Sequence, residues 1–119
     1  MHNGSCLCGR VRYQIAGPVT RTSHCYCTMC QKQHGAAFAT YANVKSTDFS
    51  YTDGADAVVR FESSPGVERC FCKVCGSNLT WQMVAHKSRI AVTLGTFDTP
   101  YAGTGHEVLN LESRAAWDV

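Results

Sequence analysis

Charge is scarce in this sequence. Asp, Glu, Lys and Arg together make 17% of 119 residues, eleven basic against nine acidic. A formal surplus of +2 gives no basic footprint for a phosphate backbone, so nucleic acid is not an expected partner. Long apolar runs are missing too. Nothing approaches the roughly 18 consecutive apolar residues of a membrane helix, and the opening MHNGSCLCGRVRYQ lacks the apolar centre of an export signal. No membrane partner and a cytoplasmic location are therefore expected. There is no phosphate-binding glycine loop, EF-hand pattern or Ser-His-Asp set. Low-complexity stretches and linkers are also absent, and 45% of the residues are apolar, which excludes disorder and leaves one domain over residues 1–119.

Cysteine, in contrast, is abundant: eight residues, at 6 and 8, at 25, 27 and 30, and at 70, 72 and 75. Without an export signal the thiols are expected to stay reduced. Clusters separated by one or two residues are also poorly placed to bridge one another and well placed to wrap an ion, so metal is the stronger reading. With two Zn²⁺ held by eight thiolates the formal charge falls to −2, and with seven to −1, so the loaded domain is slightly acidic.

The pattern predicts a mainly β domain. Residues 6–16 alternate: Leu7, Val11, Tyr13 and Ile15 share one parity and Cys6, Cys8, Arg10, Arg12 and Gln14 the other, as on a half-buried strand with both cysteines on one face. Residues 31–35 read as a short helical turn capped by Gly35, and 36–44 and 49–51 as strands, the latter before an Asp53-Gly54 turn. Residues 57–62 and 67–71 form a hairpin across Ser63-Ser64-Pro65-Gly66. A second pair is expected at 79–84 and 89–94, and a last strand at 107–111. Short strands at regular intervals with little helical periodicity indicate an all-β domain. CYCTMC at 25–30 and CFCKVC at 70–75 share a pattern 45 residues apart; their flanks do not match, which favours local convergence over duplication.

Tetrahedral structural zinc is commonly held by two short cysteine pairs. Cys72-x-x-Cys75-Gly76 fits one such knuckle, its glycine accepting a positive φ, and Cys6-x-Cys8 is the available second pair. Cys6, Cys8, Cys72 and Cys75 are therefore expected to form a closed site tying the N-terminal strand to the middle of the chain. Cys25, Cys27 and Cys30 then hold a second zinc with an open position, the usual catalytic arrangement, unless Cys70 fills it and both sites are closed scaffolds.

Five stretches in order, GSCLCGRVRY (4–13), HCYCTMCQKQHGAAF (24–38), FCKVCGSNL (71–79), GTFD (95–98) and ESRAAW (112–117), carry a resemblance across nearly the whole chain. The sequence resembles the family of glutathione-dependent formaldehyde-activating enzymes, which includes centromere protein V. That resemblance implies an Mss4-like fold, small antiparallel sheets around zinc. It implies a structural zinc on Cys6, Cys8, Cys72 and Cys75 and a catalytic zinc on Cys25, Cys27 and Cys30. It also implies a carbon–sulfur lyase activity joining glutathione and formaldehyde into S-hydroxymethylglutathione. Cys70 lies outside the family's pattern.

Among other residues, His34 follows the cluster and is a candidate proton carrier lining the open site, against a plain surface position; His106 is either a pocket residue or the start of a strand. His24 points away from Cys25 on a strand, and His86 lies in a polar turn. Arg114 is read as an intramolecular ion-pair partner rather than a substrate-carboxylate anchor, and Phe97 and Trp117 as core. The competing function is a non-catalytic, zinc-stabilised binding module. A redox or metal-buffering role lacks the surrounding βαβ pattern.

Overall fold

A computed structural model describes residues 1–103 and 105–119. Strands β1 (His2–Ser5) and β2 (Arg12–Ile15) are followed by β3 (Arg21–Cys25), helix α1 (Thr28–His34), β4 (Ala39–Lys45) and β5 (Phe49–Asp53). Then come β6 (Val58–Ser64), β7 (Val67–Cys72), β8 (Asn78–Met83), β9 (Arg89–Thr93) and β10 (Glu107–Leu109). The expected mainly β, Mss4-like architecture is what these elements build. A three-stranded antiparallel sheet, β1-β2-β5, packs on a seven-stranded sheet ordered β10-β3-β4-β9-β8-β7-β6. Pairing is antiparallel except at the edge, where β10 runs parallel to β3. Among the described residues no helix is long and apolar enough to cross a membrane.

The alternation read at 11–15 is the core of the small sheet. Val11, Tyr13 and Ile15 are buried and pack, with Val44, Val92 and Leu79 of the large sheet, in two neighbouring clusters. Burial of each aliphatic side chain is worth roughly 1.5–3 kcal/mol. Leu7 departs from this alternation: it is 87% exposed, because residues 6–9 are not strand but the tight turn between β1 and β2. The hairpin at Pro65-Gly66 and the β8–β9 pair stand where expected, Gly66 adopting φ +77°.

Gly54, in the predicted turn, has φ +71°, and a methyl group there would run into the carbonyl oxygen of Arg10. Gly54→Ala is expected to cost about 2–3 kcal/mol through strain and displaced backbone, read as a lower urea midpoint with unchanged slope. A wild-type midpoint would mean that the loop yields freely.

The large sheet has two differently used faces. Even-numbered residues of β4 and β9, Val44 and Val92, meet the small sheet. On the other face one cross-strand row runs Arg21, Asn43, Ala91, Trp81, Arg69, each opposite the next in register. This row is the floor on which the second cysteine group sits.

Candidate metal centre

The first cysteine group is built from two hairpin turns of the same design. In one, Gly9 N–H donates to the Cys6 carbonyl at 3.0 Å and Val11 N–H to the Cys6 sulfur at 3.3 Å. In the other, Gly76 N–H donates to the Cys72 carbonyl at 2.8 Å. Gly9 and Gly76 have nearly the same left-handed φ, +79° and +80°, which folds each turn tightly enough to aim two sulfurs the same way. The C-x-C pair thus converges through a turn and not, as its spacing suggested, through strand alternation.

The sulfurs of Cys6, Cys8, Cys72 and Cys75 all lie within 4.8 Å of one another, Cys6 to Cys8 at 3.5 Å and Cys8 to Cys72 at 3.9 Å. Four sulfurs about 2.3 Å from one tetrahedral ion stand about 3.8 Å apart, so the donor set fits zinc in number, chemistry and spacing. Ser77 links the two turns: its hydroxyl accepts from Leu7 N–H at 2.8 Å and lies 3.3 Å from the Cys75 sulfur. That hydroxyl, with backbone N–H groups, holds the Cys75 thiol down at about 5, which favours the thiolate a metal requires.

The second group comes from one short segment. Cys25 ends β3, Cys27 is the N-cap of α1 with its sulfur accepting from Cys30 N–H at 3.3 Å, and Cys30 lies in the first turn of the helix. The helix begins at Thr28, earlier than the turn expected at 31–35, because the cysteine sulfur supplies the cap usually given by Ser or Asp. Gly35 closes it with φ +56°, as expected. The three sulfurs lie within 4.8 Å of one another, the donor set of an ion with one position left for another ligand. They share charge: the Cys30 thiol's hydrogen bond is the first cause holding Cys25 down at about 5, and the same contact pushes Cys30 up. Asn110, in the left-handed region at φ +57°, donates Nδ2 to the Cys25 sulfur at 3.4 Å.

Cys70 belongs to neither group. On β7 it stands opposite Thr80, one residue from the Arg69–Trp81 pair, and so faces away from the second group. It lies near Tyr51, whose hydroxyl is raised to about 12 by burial first and by Cys70 second. Arg69, which the sequence reading did not single out, occupies the facing position instead: its Nη1 donates to the Cys30 sulfur at 3.5 Å. The repeated C-aromatic-C-x-x-C pattern is thus put to two uses, its first cysteine joining its own C-x-x-C at 25–30 but not at 70–75.

Beside the three sulfurs opens a cavity of about 360 Å³ lined by Arg21, Asn43, Trp81, Ala91 and Arg69 from the sheet, Tyr41, Met29, Leu109 and Asn110 among others. His34 does not line it. It is half-buried behind Tyr41, with Nε2 3.2 Å from the Tyr41 hydroxyl, which in turn lies 4.0 Å from the Cys30 sulfur. Burial first, and the Arg69 charge second, hold the His34 pKa below its ordinary value. Burial keeps the Tyr41 hydroxyl protonated well above the physiological range. His106 is away from the cavity, its ring 4.2 Å from that of His24 and its Nδ1 2.9 Å from the Thr22 hydroxyl. His24 does point away from Cys25, meeting Thr40 at 2.8 Å, and His86 is exposed. Arg114 pairs with Asp118 at 3.2 Å. Phe97 packs against the Tyr13 cluster. Trp117, expected in the core, is 68% exposed, because the residues beyond β10 run over the outside of α1.

Comparison with known proteins agrees with this geometry. The family model described as glutathione-dependent formaldehyde-activating enzyme matches residues 1–109. A Halomonas elongata protein whose name places it among such enzymes is 30% identical over 101 residues, covering 75% of this chain and 64% of that protein, so this chain spans less than two thirds of its relative. A crystal structure of a Rhodobacter sphaeroides protein shares the fold, with a TM-score of 0.73 at 18% identity over 90% of this chain and 98% of that one. Five motifs in order, two convergent cysteine groups and a family match over residues 1–109 lead to one conclusion: this chain belongs to the glutathione-dependent formaldehyde-activating enzyme family.

Proposed function

We propose that the chain is a zinc-dependent enzyme of thiol–aldehyde adduct chemistry, a carbon–sulfur lyase of the S-hydroxymethylglutathione synthase kind. Its substrates would be a small thiol such as glutathione and an aldehyde such as formaldehyde. The observation that carries this reading is the three-sulfur group of Cys25, Cys27 and Cys30 beside a cavity, with no fourth cysteine in the group among the described residues. In this reading Cys6, Cys8, Cys72 and Cys75 hold a structural zinc and the three-cysteine group a catalytic one. Zinc bound by three protein ligands supplies a Lewis-acid position that lowers the pKa of a bound thiol or polarises a carbonyl oxygen.

The chain's own groups do the rest. The cavity positions a thiolate and an aldehyde within reach of one another, removing orientational freedom that the uncatalysed pair must lose by collision. The sulfur adds to the aldehyde carbon, a carbon–sulfur bond forms, the C=O π pair moves to oxygen, and the proton that left the sulfur ends on that oxygen. Tyr41, protonated and facing the cavity, is placed to donate a hydrogen bond there. His34 acts through it, as a positioning residue that fixes the hydroxyl. The reverse sequence cleaves the adduct.

The test is NMR exchange between glutathione, formaldehyde and their adduct, with zinc-replete protein and with protein stripped of zinc. Exchange faster than the uncatalysed background, abolished by zinc removal and restored by adding it back, is expected. Background exchange at two bound zinc ions per chain would overturn the reading in favour of a zinc-stabilised binding module.

A further inference from the structure

Arg69 is a buried cation with no carboxylate. It is 4% exposed, and charged side chains are almost never so buried unless paired. Among the described residues the ion pairs are Arg10–Asp56, Arg21–Glu107, Arg60–Glu68 and Arg114–Asp118; none involves Arg69. Its donors go to neutral acceptors and one sulfur: Nε to the Ser63 hydroxyl at 3.0 Å, Nη1 to Gln33 Oε1 at 2.7 Å and to Cys30 Sγ at 3.5 Å. Gln33 is itself held in that orientation, its Nε2 donating to Asn78 Oδ1 at 3.0 Å, so its oxygen is turned toward the guanidinium. The fork is therefore fixed from two sides, and the partner able to carry negative charge is Cys30.

We propose that Arg69 is the built-in countercharge of the three-cysteine group, a positioning residue that lets three thiolates share one largely buried place. The inference rests on the reading that Cys25, Cys27 and Cys30 hold a metal ion. Three thiolates with a divalent ion sum to −1, which Arg69 brings to neutral. A fourth cysteine on the same face would have restored the excess. Among the described residues no Arg or Lys donates to a sulfur of the four-cysteine group, where Cys6 and Cys72 are buried but Cys8 is exposed and Cys75 half-buried, so that water screens part of the surplus. Arg69 thus lies beside the group in the lining of the cavity, and it presents positive charge to an incoming thiolate.

The experiment compares the wild type, R69M, R69Q and R69K, each refolded with Co²⁺ and titrated with a competing chelator while the sulfur-to-cobalt absorption is recorded. In R69M, similar in length but without charge or donor, the second-site affinity is expected to fall about 10–100-fold, the usual effect of losing a partner that orients a ligand. First-site affinity should stay within about twofold. Charge transfer from Cys30 should move to lower energy, since its sulfur loses a hydrogen bond that stabilises the lone pair. R69K, which keeps the charge, should recover much of the affinity. If R69M does not fold, R69Q is read for the same drop. Wild-type affinity and an unmoved band in the neutral variants would overturn the proposal while leaving the metal reading intact. A wild-type chain that binds a single ion would overturn both.

Discussion

Cys27→Ser is expected to reduce bound zinc from two ions to one per chain and to slow thiol–aldehyde exchange on the order of 10²–10³-fold, with the fold retained. The substitution separates two roles of one atom. The Cys27 sulfur is both a member of the three-sulfur group and the N-cap acceptor of α1. Serine is among the best N-cap residues, so the helix keeps its start and Cys30 its place. The hydroxyl does not ionise near neutral pH, however, and it is a poor ligand where thiolates set the preference of the site. Two remaining sulfurs bind zinc far more weakly than three. Native mass spectrometry gives the stoichiometry, a thermal melt reports the fold, and exchange NMR gives the rate. Two retained ions with undiminished exchange would remove the second group from the chemistry.

The larger effect on stability is expected at Cys72. Its side chain is fully buried and shares a cluster with Cys6, Val11, Ala57 and Leu79. The four-sulfur group joins the β1–β2 turn to the β7–β8 turn, which are far apart in sequence. Structural zinc contributes about 10–16 kcal/mol of apparent binding free energy near pH 7. That is comparable to the whole of the roughly 5–15 kcal/mol by which a domain is typically stable. Cys72→Ser, which weakens this site and leaves a hydroxyl in an apolar cluster, is therefore expected to unfold the chain, seen as collapse of amide NMR dispersion. Graded chelation should empty the three-sulfur group first, without unfolding, and then the four-sulfur group with loss of structure. A Cys72→Ser melt within a few degrees of wild type would show that the apolar clusters suffice alone.

What could be read in advance follows the range of the forces involved. The alternation at Val11, Tyr13 and Ile15, the Pro65-Gly66 hairpin and the Gly35 cap are set by neighbours in sequence, and they stand as expected. Both cysteine groups were legible as well, because ligand spacing within a knuckle is a local property. The failures are where one local pattern serves two geometries. Alternating cysteines at 6 and 8 satisfy a strand or a tight turn equally, and only the left-handed Gly9 decides between them. The bounds of β3 have no local signal, because Arg21–Cys25 carries little apolar alternation and is buried by what lies on both sides. Cys70 stands out in the sequence by its type and Arg69 does not, although the period of a strand puts them on opposite faces, with Arg69 on the Trp81 side. The parallel docking of β10 had no signal, since it depends on a crossover from the far end of the fold.

That docking has a consequence for the order in which the molecule matures. The four-sulfur group has all its ligands once residue 75 has been made, whereas the three-sulfur group, though its ligands all fall within residues 25–30, waits for distant support. Leu109 pairs with Cys25, Asn110 donates to the Cys25 sulfur, and the Ser113 carbonyl accepts from Gln31 Nε2 at 2.9 Å. A nascent chain can therefore bring its four scaffold sulfurs together before residues 107–113, which support the three-sulfur group, have been made. The group whose ligands are neighbours in sequence thus depends on residues made later, and the group whose ligands are far apart does not.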